Sequence, residues 1–147
     1  MKIPTTQLVR FLAAGAFVLA LASSAFALQL PKSVSTALRV LNQVVGHTGR
    51  LIAAKDYDHV GGEHGEFTEG ADMLREGLRG EPADFTAKVE TALKAAVDAS
   101  AALGKIAPAH DDAKLNAAHD DFAAKVKTVI ELFPEDVRPK PRAPKKA

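Results

Sequence analysis

Between residues 60 and 78 the apolar positions recur with an unbroken 4-3-4-3-4 spacing: Val60, His64, Phe67, Ala71, Leu74 and Leu78. That spacing returns to one face of a 3.6-residue helix and to neither face of a strand. Three further segments carry the same period. Val34, Leu38, Leu41, Val45, Thr48 and Ile52 form one stripe, and Val40, Val44, His47, Leu51 and Ala54 widen it. Phe85, Val89, Ala92, Ala96, Ala99, Leu103 and Ile106 form the third, and Leu115, His119, Phe122, Val126, Val129 and Phe133 the fourth. No segment alternates with a period of two. Four amphipathic helices of about 20 residues, joined by short loops, predict an all-α, up-down-up-down four-helix bundle over residues 28–133.

The expected boundaries follow from capping and breaking residues. Ser33 can cap a first helix running to about Lys55. Asp56 or Asp58 can start a second, which stops at Gly80-Glu81-Pro82. The third starts near Asp84 and ends at Gly104 and Pro108, and the fourth runs from Asp111 or Asp112 to Pro134. Gly46 and Gly49 flank His47 inside the first helix, which suggests a bend or the close approach of another group. Gly61, Gly62 and Gly65 weaken the first turns of the second, so that end must be held by packing or by a bound group.

Both ends of the chain differ from the bundle. Lys2 and Arg10, the apolar run Phe11 to Leu21 and the small-x-small Ala25-Phe26-Ala27 read as a signal peptide over residues 1–27, since the run is short of the roughly 20 residues that span a bilayer. A periplasmic or secreted location is expected. An uncleaved membrane anchor is the alternative. At the other end, residues 134–147 hold Pro134, Pro139, Pro141 and Pro144 among basic residues and read as an extended disordered tail.

Composition excludes several chemistries. With no cysteine there is no disulfide, thiolate metal site or covalent c-type haem, so any metal or haem must be held by His, Met or carboxylate. Residues 28–137 carry 12 basic against 18 acidic residues, a balance of −6, whereas residues 138–147 carry five basic residues and no acid. Phosphate binding needs a basic face, so the body is not expected to bind nucleic acid. The tail could meet an acidic protein or an anionic membrane surface; the alternative is a solubilising end. No nucleophile elbow, phosphate loop or dinucleotide fingerprint is present, and a non-enzymatic role is expected.

The candidate site lies in the histidines. His64-Gly65-Glu66-Phe67 is echoed by His119-Asp120-Asp121-Phe122, each His on an apolar stripe near a helix start. Counted at about 1.5 Å per residue from the turns, His47, His64 and His119 reach similar heights. His59 and His110 lie in or beside the two turns at that end. Three imidazoles are therefore expected to point inward and two to stand at the rim. One implied chemistry is a transition-metal site for Cu, Zn, Ni or Fe through His47, His64 and His119, with Ser100 or Asp98 at the same level and His59, His110 and Glu63 at the rim. Another is a b-type haem clamped between His64 and His119, with the small residues Gly46, Gly49, Gly65, Ala96, Ala99 and Ala118 leaving space for it. The Glu-x-x-His pairs of di-iron bundles are absent. Without a cofactor, each buried imidazole needs a hydrogen-bond partner, for which Thr48, Ser100 and nearby carboxylates are available. The chain is then an interaction or structural protein.

The four stripes, the leader, Lys55-Asp56-Tyr57-Asp58 opening helix two and Phe133-Pro134 closing helix four together resemble the cytochrome c-prime and soluble b-type bundle cytochromes over residues 33–133. The resemblance implies a bundle fold and a redox-carrier role. In that family the haem sits near the end of helix four. Here no His lies there, the Cys pair is missing, and Met73 stands mid helix two, away from the family's helix-one ligand. Any haem site in this chain belongs at the opposite end of the bundle.

Overall fold

The computed structural model describes residues 28–140, so the leader reading and residues 141–147 lie outside the described part. It is all-helical, with no strand among the described residues. Helix α1 spans Lys32–Ala53, α2 Tyr57–Val60, α3 Glu63–Gly77, α4 Ala83–Ile106 and α5 Asp112–Glu131, with a 3-10 turn at Ala107–Ala109. Helices α2 and α3 together make one arm, so four arms pack in a ring. α1 lies against α3 and α5, and α4 lies against α3 and α5.

The apolar stripes are the core. Val34, Leu38, Leu41, Phe67, Ala71, Leu74, Val89, Leu93, Leu115, Phe122 and Val129 are essentially inaccessible to solvent. Phe67 meets Phe122 edge to face at 4.9 Å in the histidine half, and Phe85 meets Phe133 at 5.4 Å in the other. Each such pair contributes about 0.5–1.5 kcal/mol beyond its buried area. Small residues set the spacing of α1 against α3. A Cβ added at Gly77 would stand 2.9 Å from Val34 Cγ2, and one at Gly70 3.0 Å from Leu41 Cδ2.

Three boundaries depart from expectation. Pro31 precedes α1 and no side chain caps it, so Ser33 lies inside the first turn. The second arm is broken at Gly61–Gly62. Both glycines keep right-handed helical angles, but Gly62 N donates to His59 O and Gly65 N to Gly62 O, the tighter i→i+3 pattern. Gly61 also lies against Gly104 of α4, where a Cβ would stand 3.5 Å from Gly61 Cα. The tail departs too. Residues 134–138 form a turn, Val137 packs on the core, and Arg138 donates through Nε to Phe133 O at 2.6 Å and through Nη2 to Glu131 O at 2.9 Å. The guanidinium thereby satisfies carbonyls left open at the end of α5.

The two loops at the histidine end are clasped together. Tyr57 OH and Lys55 Nζ both donate to the Asp112 carboxylate, the lysine at 3.1 Å, and the Tyr57 ring stacks on His110 at 4.5 Å. Lys55 and His110 both have left-handed backbones, at φ 59° and 51°. Such strain costs about 1–3 kcal/mol per non-glycine residue and persists only where neighbours enforce it. Here the clasp enforces it.

Candidate metal centre

The expected inward convergence of His47, His64 and His119 is not what the side chains do. Each imidazole has found a separate partner. His119 is half-buried on α5 and donates Nε2–H to Val45 O at 2.9 Å. Gly49 makes room for it, since a Cβ there would stand 3.0 Å from the ring. This is the close approach that the glycine suggested. His64 is half-buried on α3, with Nδ1 2.7 Å from Ser100 Oγ. Ser100 spends its single hydroxyl proton on Val97 O at 2.8 Å. His64 Nδ1 must therefore be the donor, which fixes the tautomer.

The bundle interior beside His64 holds no haem-sized space. The gap lined by Thr48, Glu63, His64, Ser100, Leu103 and Phe122 holds about 160 Å³ of non-atom space, none of it wide enough to seat a water molecule. Ligand pockets run from about 300 Å³ upward. About one turn further along, the Phe67–Phe122 pair fills the interior. The other rim residues are likewise occupied elsewhere. His59 bonds Asp56 at 2.7 Å, an exposed pair whose hydrogen bond and charge raise the His59 pKa. His110 stacks on Tyr57, and Asp98 pairs with Lys94 at 2.7 Å.

His47 is the exception. Its ring is exposed, and Nδ1 lies 3.0 Å from Oε1 of Glu63. Glu63, the first residue of α3, is 7% exposed, and its other oxygen, Oε2, has no hydrogen-bond partner. Glu66 stands one helical turn further on the same face. Single donor atoms of His47, Glu63 and Glu66 all lie within 4.8 Å of one another, the one such group of three among the described residues. Both carboxylates fall in the first turn of α3, where the positive end of the helix dipole favours them.

Local winding explains why Glu63 is inside. After Val60, a regular helix would bring His64 to the core. The tighter turn at Gly61–Gly62 advances about 120° per residue instead of about 100°, so the inward slot falls one residue earlier, on Glu63. His64 is carried to the edge, and the stripe resumes at Phe67. Glu63 was expected at the rim beside His59. Glu66 was not expected as a donor at all, although its spacing of three from Glu63 is legible once the break is known.

The chemistry of this group is specific. A buried, half-satisfied carboxylate costs about 1–3 kcal/mol or more for a charged oxygen, and no water fits the gap beside it. A cation held by Glu63, His47 and Glu66 would compensate the charge of the buried carboxylate. Two donors held about 2.0–2.2 Å from one tetrahedral ion lie roughly 3.3 Å apart. The His47–Glu63 separation is already close to that value, and a carboxylate oxygen of exposed Glu66 lies within 4.8 Å of both donors. No protein-family model, curated protein or solved structure matches this chain, so the site stands on its own geometry.

Proposed function

We propose that the protein is a non-enzymatic binding protein that holds a divalent transition metal at His47, Glu63 and Glu66. The observation that carries this reading is the buried Glu63 carboxylate, with one oxygen on His47 and the other on nothing. One imidazole and two carboxylates suit zinc, iron, nickel or copper, and three protein ligands leave coordination positions open. In the free protein His47 Nδ1–H donates to Glu63 Oε1; a metal at Nδ1 would replace that hydrogen bond and leave the ring neutral with its proton on Nε2. Together with the leader, this makes a periplasmic metal carrier or buffer on an up-down-up-down bundle the best-supported role.

A b-type haem between His64 and His119, with the redox role that the cytochrome resemblance implies, has less support. Both rings are engaged on other groups and the gap between their helices is small. The test is equilibrium dialysis of the untagged protein against Zn²⁺, Cu²⁺, Ni²⁺ and Fe²⁺. Near-stoichiometric binding is expected, lost in E63A and kept in a variant carrying H64A and H119A. Loss in the double-His variant with retention in E63A would overturn the assignment and restore the inward histidines.

A further inference from the structure

His47 and Glu66 also line a second feature. Between α1 and the C-terminal segment runs a groove of about 750 Å³, bordered by Arg39, Asn42, Gln43, Arg50 and Lys140. Its volume is that of a small-molecule site. Among the described residues, none of Arg39, Arg50 and Lys140 forms an ion pair with a carboxylate. Arg50 folds back along α1, its Nη1 3.8 Å from where a side chain at Gly46 would begin, beside His47. Three unpaired cations and two amides therefore surround a groove whose wall is the proposed metal site.

Charge assigns the occupant. A divalent ion with Glu63, Glu66 and a neutral imidazole is electrically balanced, and its open positions must be filled by water or by an added ligand. Arg50 lies three residues after His47, and Arg39 eight residues before it, about 12 Å along the axis. An anion entering from the groove would meet the metal and Arg50 at one end and Arg39 at the other. A single phosphate cannot reach from the metal to Arg39, whereas a longer ligand with two or three carboxylates can. Guanidinium recognises a carboxylate through paired N–H donors, which a point charge does not offer.

We infer that the groove receives a small di- or tricarboxylate, so that the protein takes its metal as a metal–polycarboxylate complex. This rests on the metal reading above. The metal and Arg50 hold one carboxylate of the ligand, and Arg39 holds another.

Citrate, phosphate and acetate serve as probes in equilibrium dialysis with Zn²⁺, each anion at or below the zinc concentration. The expected result is that labelled citrate is retained one to one with zinc, is not retained without it, and is retained at least 10-fold better than phosphate or acetate. A variant carrying R39A and R50A, both at exposed positions, should keep zinc affinity within twofold and lose citrate retention at least 10-fold, with unchanged helical circular dichroism. Citrate that strips zinc and leaves neither on the protein overturns the inference. So does retention without zinc, equal retention of phosphate, or an indifferent double variant. The zinc-only arm tells the two readings apart: zinc bound without citrate removes the polycarboxylate alone, and no zinc bound removes both.

Discussion

Two carboxylates join helices at the histidine end of this bundle, and they are treated in opposite ways. Asp112 is accessible and has more partners than it needs: a phenol, an ammonium and the solvent. Glu63 is buried and has one partner for two oxygens. A surface carboxylate with several donors clasps loops and does little else, because exposed pairs contribute little and water already satisfies each group. A buried carboxylate left half-satisfied lowers stability, and a fold that retains one keeps a place where a cation gains more than water could offer. The comparison separates the structural carboxylate from the proposed ligand.

The largest expected effect breaks the second half of that contrast. E63A should weaken zinc binding at least 100-fold, about 2.7 kcal/mol, while D112N should leave it unchanged, both read by equilibrium dialysis.

A smaller effect of opposite sign follows for the metal-free protein. Glu63→Met removes the orphaned oxygen and fills the same space with an apolar chain, and exposed His47 loses nothing that water cannot replace. Thermal unfolding without metal should rise by about 1–2 kcal/mol, at least several degrees for a domain of this size. A lower midpoint would mean that the Glu63–His47 pair holds the fold together and that the half-satisfied carboxylate is structural.

Next in size is H64A, which removes a hydrogen bond to Ser100 from a half-buried site. A loss of about 1 kcal/mol is expected in urea unfolding, with zinc affinity unchanged. The contrast between His64 and Glu63, adjacent in sequence, shows what periodicity could and could not reveal. The stripes Val34-Leu38-Leu41, Phe67-Ala71-Leu74 and Phe122-Val126-Val129 were legible as core because each rests on several apolar residues that share one face. Axial height was legible too, since it needs only a count from the turn. Which residue at that height faces inward was not, because it depends on angle, and two glycines that overwind one turn carry His64 to the edge and bring Glu63 in. The weakness of those turns could be read in Gly61 and Gly62. Its direction required the i→i+3 bonds. The tail was read as disordered from its prolines and charges, but Val137 and Arg138 tie its first residues to α5, a contact that composition does not encode.

The smallest effect tests the clasp. The hydrogen bond from Tyr57 and the ammonium of Lys55 hold the Asp112 carboxyl below its ordinary value, and Asp112 in turn raises both Tyr57 and Lys55. A carboxyl depressed on folding stabilises the fold above its unfolded value of about 3.9, and that contribution is lost as pH falls through the lower folded value. A raised phenol and a raised ammonium act at the other limit. Their contributions are complete below about pH 10 and disappear as pH rises through the folded values. The wild type should therefore lose a small increment of thermal stability at both extremes, and D112N, which is uncharged throughout, should flatten both limbs while lying slightly below the wild type between them. Melting curves at pH 3, 7 and 10.5 decide it. If D112N instead matched the wild type at all three, the left-handed turns at Lys55 and His110 would be held by Tyr57 stacking on His110 alone. The exposed carboxylate would then have no structural role to set against the buried one.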